Sequence, residues 1–140
     1  RVCAVDYGRT RTGVAFSDAS RTLAGETTVI TEKNERLLAE QLAALLHEKN
    51  VTAVAVGLPV NMDGTVGLQG EKCRRFAALL EARAGLPVTL IDERRTTIDA
   101  HRILTENRVF RQKRKETVDA VAAALILEIF LKRLAAEEHA

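Results

Sequence analysis

Three carboxylates stand where apolar runs would carry them to the rim of a core: Asp6 closing RVCAVD, Glu93 closing VTLIDE, and Asp119 inside KETVDAVAAALIL. Keeping an acid ionised at such a position is costly unless a cation or a hydrogen-bond donor compensates it. Three of them, from three separated segments, suggest one shared cation, which is the pattern of a metal site. The alternative is three unrelated polar ends of buried elements, with Asp119 serving only the dipole at the start of its helix. Cations crowd the same segments. Arg9 and Arg11 follow Asp6, Arg94 and Arg95 follow Glu93, and the run RVFRQKRK (108 to 115) places five cations and no acid just before Asp119. A polyanion suits that neighbourhood, against the alternative of a solvated loop and ordinary surface arginines. No Ser/His/Asp arrangement competes, because His47, His101 and His139 fall on apparent helix surfaces or at the terminus.

The elements that must position these acids follow from patterning. Val2 to Tyr7 is apolar on both faces until Asp6, as in a strand covered on both sides. Strand patterns resume at Thr12 to Ser17 and around Thr27 to Ile30, with a hairpin turn at Asp18 to Arg21. Asn34 is an N-cap for a helix reaching about Lys49, with Leu38, Leu42, Leu45 and Leu46 as its stripe. Val51 to Val56 reads as a buried strand ending at Gly57, followed by the loop LPVNMDGTVG and a helix from about Leu68 to Ala84 that Gly85 and Pro87 terminate. Val88 to Ile91 is another buried strand. Thr96 or Thr97 caps a short helix to about Asn107, and Glu116 to Leu134 forms the last helix, with Asp119 in its first turn and Val118, Val121, Leu125 and Ile129 as its core face. The order β, β, β, α, β, α, β, α, α predicts a mixed sheet with right-handed crossovers and helices on its faces. Ligands bind such sheets at the carboxyl ends of the parallel strands, the edge that receives Asp6, Gly57 and Glu93.

Length and composition agree. A chain of 140 residues, 46% hydrophobic and 29% charged with a net charge of +2, has the size of a single domain spanning 1–140. The longest apolar stretch, from Val121, is interrupted by Glu128, which predicts no membrane span. Arg1 opens directly on a strand pattern without a secretory signal, so a few natural residues, the initiator Met among them, are expected before it, and the compartment expected is the cytoplasm. Cys3 and Cys73 are too few for a disulfide framework or a zinc site and are expected as reduced, buried thiols.

Four segments together carry a resemblance: DYGRTRTGVAFSD (6 to 18), GLPVNMDGTVG (57 to 67), DERRTT (92 to 97) and KRKETVDAVAAALIL (113 to 127). In order and spacing they resemble the signature segments of the YqgF/RuvX family, RNase H-like proteins described as Holliday junction resolvases or as nucleases maturing the 5′ end of pre-16S rRNA. The resemblance implies an α/β, RNase H-like three-layer fold with a mixed five-stranded sheet and helices on both faces. It further implies that Asp6, Glu93 and Asp119 are catalytic acids holding Mg²⁺ or Mn²⁺, two ions in number. Strand alternation forbids Asp92 and Glu93 from facing the same side, and the family pattern selects Glu93. Supporting contacts to substrate fall to Gly8, Arg9, Arg11, Arg94, Lys113, Arg114 and Lys115. Two departures from the usual pattern stand out: the first loop reads Gly8-Arg9-Thr10-Arg11-Thr12-Gly13, and Arg95 follows DER where an apolar residue is common.

The expected activity is therefore a metal-dependent endonuclease on structured nucleic acid, with pre-rRNA as the first substrate class, ribosomal particles as partners and branched DNA as the close variant. A resolvase cuts two symmetric strands and needs a homodimer, whereas the RNA enzyme works as a monomer or a dimer. Two other classes share the fold: a two-lobed nucleotide-binding ATPase, against which the length argues, and a non-catalytic nucleic-acid-binding module. Only Tyr7 and Phe110 are available for stacking, so recognition through phosphates and shape is expected rather than a single-strand stacking platform.

Overall fold

The computed structural model of the chain describes residues 1–20, 24–92 and 114–138. In chain order the elements are β1 (Val2–Asp6), β2 (Arg11–Ser17), β3 (Ala24–Thr31), α1 (Glu35–Glu48), β4 (Ala53–Leu58), α2 (Leu68–Ala84), β5 (Val88–Asp92) and α3 (Arg114–Glu138). The strands form one sheet in the order β3-β2-β1-β4-β5. β1, β2 and β3 are antiparallel neighbours, while β1–β4 and β4–β5 are parallel pairs. This mixed topology is the one the element order predicts. A register shift between Ala15 and Ser17 bends the β2–β3 ribbon.

Alternation along β1 divides the core in two. Cys3 and Val5 join Val14, Phe16, Val54 and Val56 under α1 and α2, whose contributions include Leu38, Leu42, Leu46, Phe76 and Leu80. Val2 and Ala4 join Ala15, Ala55 and Ile91 under α3, which supplies Ala123, Ile126, Leu127, Phe130 and Leu131. Both faces of the central strands are thus covered, which is why β1 and β4 read as continuous apolar runs. Small side chains at Ala4, Ala15, Ala55 and Ala123 let α3 lie close to the sheet. Helix α1 starts as its sequence predicts, the Asn34 side chain accepting a hydrogen bond from the Leu37 N–H at 3.1 Å.

Several expectations are corrected. α3 begins at Arg114, two residues ahead of the Glu116 start, so Asp119 sits in its second turn and the first-turn dipole argument does not apply to it. The buried stripe of α3 is Ala123, Ile126, Leu127, Phe130 and Leu131, whereas Val118, Val121, Leu125 and Ile129 are only half-buried, Ile129 packing against the same cluster. The sequence from 118 to 127 is apolar at every position except Asp119, so periodicity selects no face there. β3 extends from Ala24 to Thr31, beyond the 27 to 30 core of its pattern. The short helix from Thr96 or Thr97 lies outside the described residues. Neither cysteine is in a disulfide and both are buried, burial pushing the Cys3 thiol up. Among the described residues no helix is long and apolar enough to cross a membrane.

Candidate active site

Asp6 is the last residue of β1 and lies half-buried on the same side of the strand as Val2 and Ala4, the side that α3 covers. Its cross-strand partner on β2 is Gly13. Gly13 in turn backs onto α3 at Asp119: a Cβ placed there would overlap the Asp119 carbonyl oxygen and crowd its carbonyl carbon and the Ala120 nitrogen. Only a residue without a side chain lets the helix backbone rest on the sheet at this point. Asp6 and Asp119, from opposite ends of the chain, therefore flank one glycine.

Arg11, two residues before Gly13 on β2, completes the group. Its Nε lies 3.5 Å from Asp119 Oδ2, with the arginine side chain 35% and the aspartate side chain 25% exposed. The turn that leads into Arg11 is tight. A Cβ on Gly8 would overlap the Arg11 carbonyl oxygen, and the Gly8 N–H donates to Thr12 Oγ1 at 3.3 Å. Gly8 is thus needed to form the turn itself, in addition to any approach to a phosphate. Arg9 is exposed at its tip. Tyr7 is not free for stacking on a base: its ring stacks on Phe76 at 4.3 Å and 4° on the opposite side of the sheet, and burial, helped by Glu35, raises its pKa. Phe110 lies outside the described residues.

The same edge collects the ends of β4 and β5. Leu58 pairs with Asp92, the last residue of β5. Asp92 is exposed and shares parity with Leu90, which packs under α1 and α2, whereas Ile91 packs under α3. Asp92 therefore faces away from the side that holds Asp6. Glu93, Arg94 and Lys113 lie outside the described residues; Arg114 and Lys115 open α3, five and four residues before Asp119.

Beyond β4, the loop at Asn61–Thr65 is closed by its own hydrogen bonds. Asn61 N–H donates to the Thr65 carbonyl and Gly64 N–H to the Asn61 carbonyl, both at 2.8 Å. Asp63 Oδ1 accepts from the Thr65 hydroxyl at 2.6 Å and its N–H at 3.0 Å, which lowers the Asp63 pKa. Asp63 is thereby a turn acid, bonded within its own loop. Because these bonds favour the carboxylate, their contribution to the loop is present above the ordinary Asp range and is lost as pH falls through the lowered value. Thr65→Val is expected to raise the Asp63 titration midpoint toward the ordinary value in a carboxyl-carbon NMR titration. A midpoint that stays put would exclude the hydroxyl as the cause. Met62, at the tip of this loop, is 90% exposed.

The family model described as "RuvX: Holliday junction resolvase" matches residues 1–133. The chain belongs to the RuvX family. Similar relatives carry the name "Putative pre-16S rRNA nuclease": one from Thermoanaerobacter pseudethanolicus is 41% identical over 132 residues, covering 94% of this chain and 95% of the relative. Another, from Listeria monocytogenes, is 44% identical over 133 residues, covering 94% and 96%. Among solved structures, Thermus thermophilus RuvC in complex with a Holliday junction substrate superposes with a TM-score of 0.63 at 16% identity, covering 96% of this chain and 95% of RuvC. The Fowlpox virus resolvase in complex with Holliday junction DNA gives 0.56 at 14%, covering 95% and 97%. These two share the RNase H-like fold with the RuvX chain.

Hard carboxylate oxygens are the donors that Mg²⁺ and Mn²⁺ prefer, and Asp6 and Asp119 supply them from two rigid elements. Among the described residues of this RuvX member, no group of three or more His, Cys, Asp or Glu is assembled. The donor chemistry fits a divalent metal with a third acid still to be added. Sequence reasoning passed over Gly13 and the direct pairing of Arg11 with Asp119. A glycine inside an otherwise apolar strand is a signal of close backbone approach, and it was present in TRTGVAF. Nothing in the sequence signals which acid Arg11 reaches.

Proposed function

We propose that this chain is a metal-dependent endonuclease that hydrolyses phosphodiester bonds of structured nucleic acid, acting in the 5′-end maturation of pre-16S rRNA. The observation that carries this reading is the meeting of Asp6 and Asp119 at Gly13, on the carboxyl edge of the parallel strands. The names of the relatives at about 40% identity direct it to RNA. Asp6, Glu93 and Asp119 are the proposed ligands for two Mg²⁺ or Mn²⁺ ions. The parity of β5 supports Glu93 as the third, because Asp92 falls on the wrong face. Such metals supply an activated water and stabilise the leaving oxygen of an in-line displacement. The three acids fix where that chemistry occurs, and their charge requires the metal before a phosphate can approach. Around them Gly8, Arg9, Arg11, Arg94, Lys113, Arg114 and Lys115 are proposed to hold the sugar-phosphate backbone, which orients a substrate without reading its sequence. One domain over 1–140, working in the cytoplasm on ribosomal particles, completes the proposal.

The family description favours a second reading, a Holliday junction resolvase, which requires two sites in a symmetric dimer. Both readings are tested by incubating the protein with a pre-16S 5′-leader RNA and a four-way DNA junction, each with Mg²⁺, Mn²⁺ or EDTA. Metal-dependent cutting of the RNA alone is expected. Cutting of the junction alone, by a dimer, would replace rRNA maturation with the resolvase. Binding without cutting of either substrate would make the chain a non-catalytic module.

A further inference from the structure

We propose that Arg11 is a displaceable counter-ion of Asp119, which holds the carboxylate while metal is absent, yields it on metal loading, and then turns its guanidinium to a backbone phosphate. The inference rests on the metal-dependent reading above and assigns Arg11 a role in the order of events at that site. Its basis is geometric. Arg11 faces the α3 side of β2 together with Gly13, and its Nε stands 3.5 Å from Asp119 Oδ2, with both side chains partly exposed. A long approach between partly exposed groups is a weak pair, readily exchanged. A dication with direct access to the same carboxylate oxygens outcompetes one guanidinium, since its charge is doubled and it binds at ligand distance. A released guanidinium, planar and permanently charged, is suited to a phosphate oxygen, and the tight turn at Gly8 fixes the backbone from which it reaches.

The test measures Mn²⁺ binding by calorimetry on the wild type, Arg11→Gln and Arg9→Gln. Arg9 is exposed and precedes the same strand, so its variant reports the general effect of removing one positive charge. Arg11→Gln is expected to tighten Mn²⁺ binding about threefold or more beyond Arg9→Gln, the scale of a partly exposed ion pair. Binding of an RNA duplex, followed by fluorescence polarisation, should lose more affinity on Arg11→Gln in Mn²⁺ than in EDTA. In the wild-type chain, which removes any question of folding, the Arg11 Nε–H resonance should move as Mg²⁺ is added. Equal Mn²⁺ affinities for the two variants, or an Arg11 resonance that ignores Mg²⁺ while the metal binds, would overturn the inference and leave the metal site standing. Absence of Mn²⁺ binding in the wild type would remove both together.

Discussion

Asp6→Asn is expected to lower the proposed metal-dependent cleavage roughly a thousandfold or more, the equivalent of about 4 kcal/mol of transition-state stabilisation, with the fold retained. The asparagine keeps the shape and one carbonyl oxygen but gives up the negative charge that the proposed metal site needs. Structure predicts little collateral damage. The pairing of Asp6 with Gly13 is a backbone register, and the side chain is half-buried at a strand end rather than packed in either core. Single-turnover cleavage of whichever substrate the wild type cuts, alongside a thermal melt, separates the two effects. A variant that melts like the wild type and retains more than about a tenth of its rate would remove Asp6 from the metal site, since the loss of a charged ligand costs far more than one decade.

Gly13→Ala attacks the same site from the scaffold. Its Cβ would overlap the Asp119 carbonyl, so either α3 lifts from β2 or the strand bends, and overpacking of this kind costs about 1–3 kcal/mol. For a domain of this length the melting temperature should fall by roughly 5–10 °C. Gly25→Ala is the matched control. It also lies in the antiparallel ribbon, but the nearest atom to its Cβ is the Phe16 carbonyl oxygen at 3.4 Å, an ordinary contact, and its melting temperature should hardly change. Any displacement of α3 also moves Asp119 away from Asp6, so Mn²⁺ affinity should weaken in Gly13→Ala well below the melting transition. If Gly13→Ala melts with Gly25→Ala and binds Mn²⁺ as the wild type does, the glycine does not seat the helix.

The strands, their succession along the chain and the placing of Asp6 at the end of β1 were legible because each depends on local pattern. Double-sided apolar runs identify β1 and β4, Asn34 marks the start of α1, and the β/α alternation sets the parallel pairs. Faces were less legible where composition was uniform. The stretch from Val118 to Leu127 offers apolar or small residues at every position but Asp119, so the side of α3 that meets the sheet is chosen by the fit of Ala123 and Ile126 against Ala4, Ala15 and Ala55, a property of two surfaces rather than of one segment. Tyr7 shows the same limit: an aromatic beside a candidate ligand reads as a stacking residue until Phe76, far along the chain, takes its ring. The Arg11–Asp119 pair also joins distant segments, and charge patterning alone could not have matched these two among so many cations.

Helix α3 lies against all five strands, and it is the last element in chain order. A growing polypeptide can pair β1 with β2 and β2 with β3 early, since those contacts are local, but contacts between α3 and β1 are among the most distant in sequence and close late. The acid from the first strand therefore waits, exposed beside its own cations, until synthesis has delivered the helix that carries its counterpart. The proposed metal site is thus among the last parts of the fold that synthesis can complete.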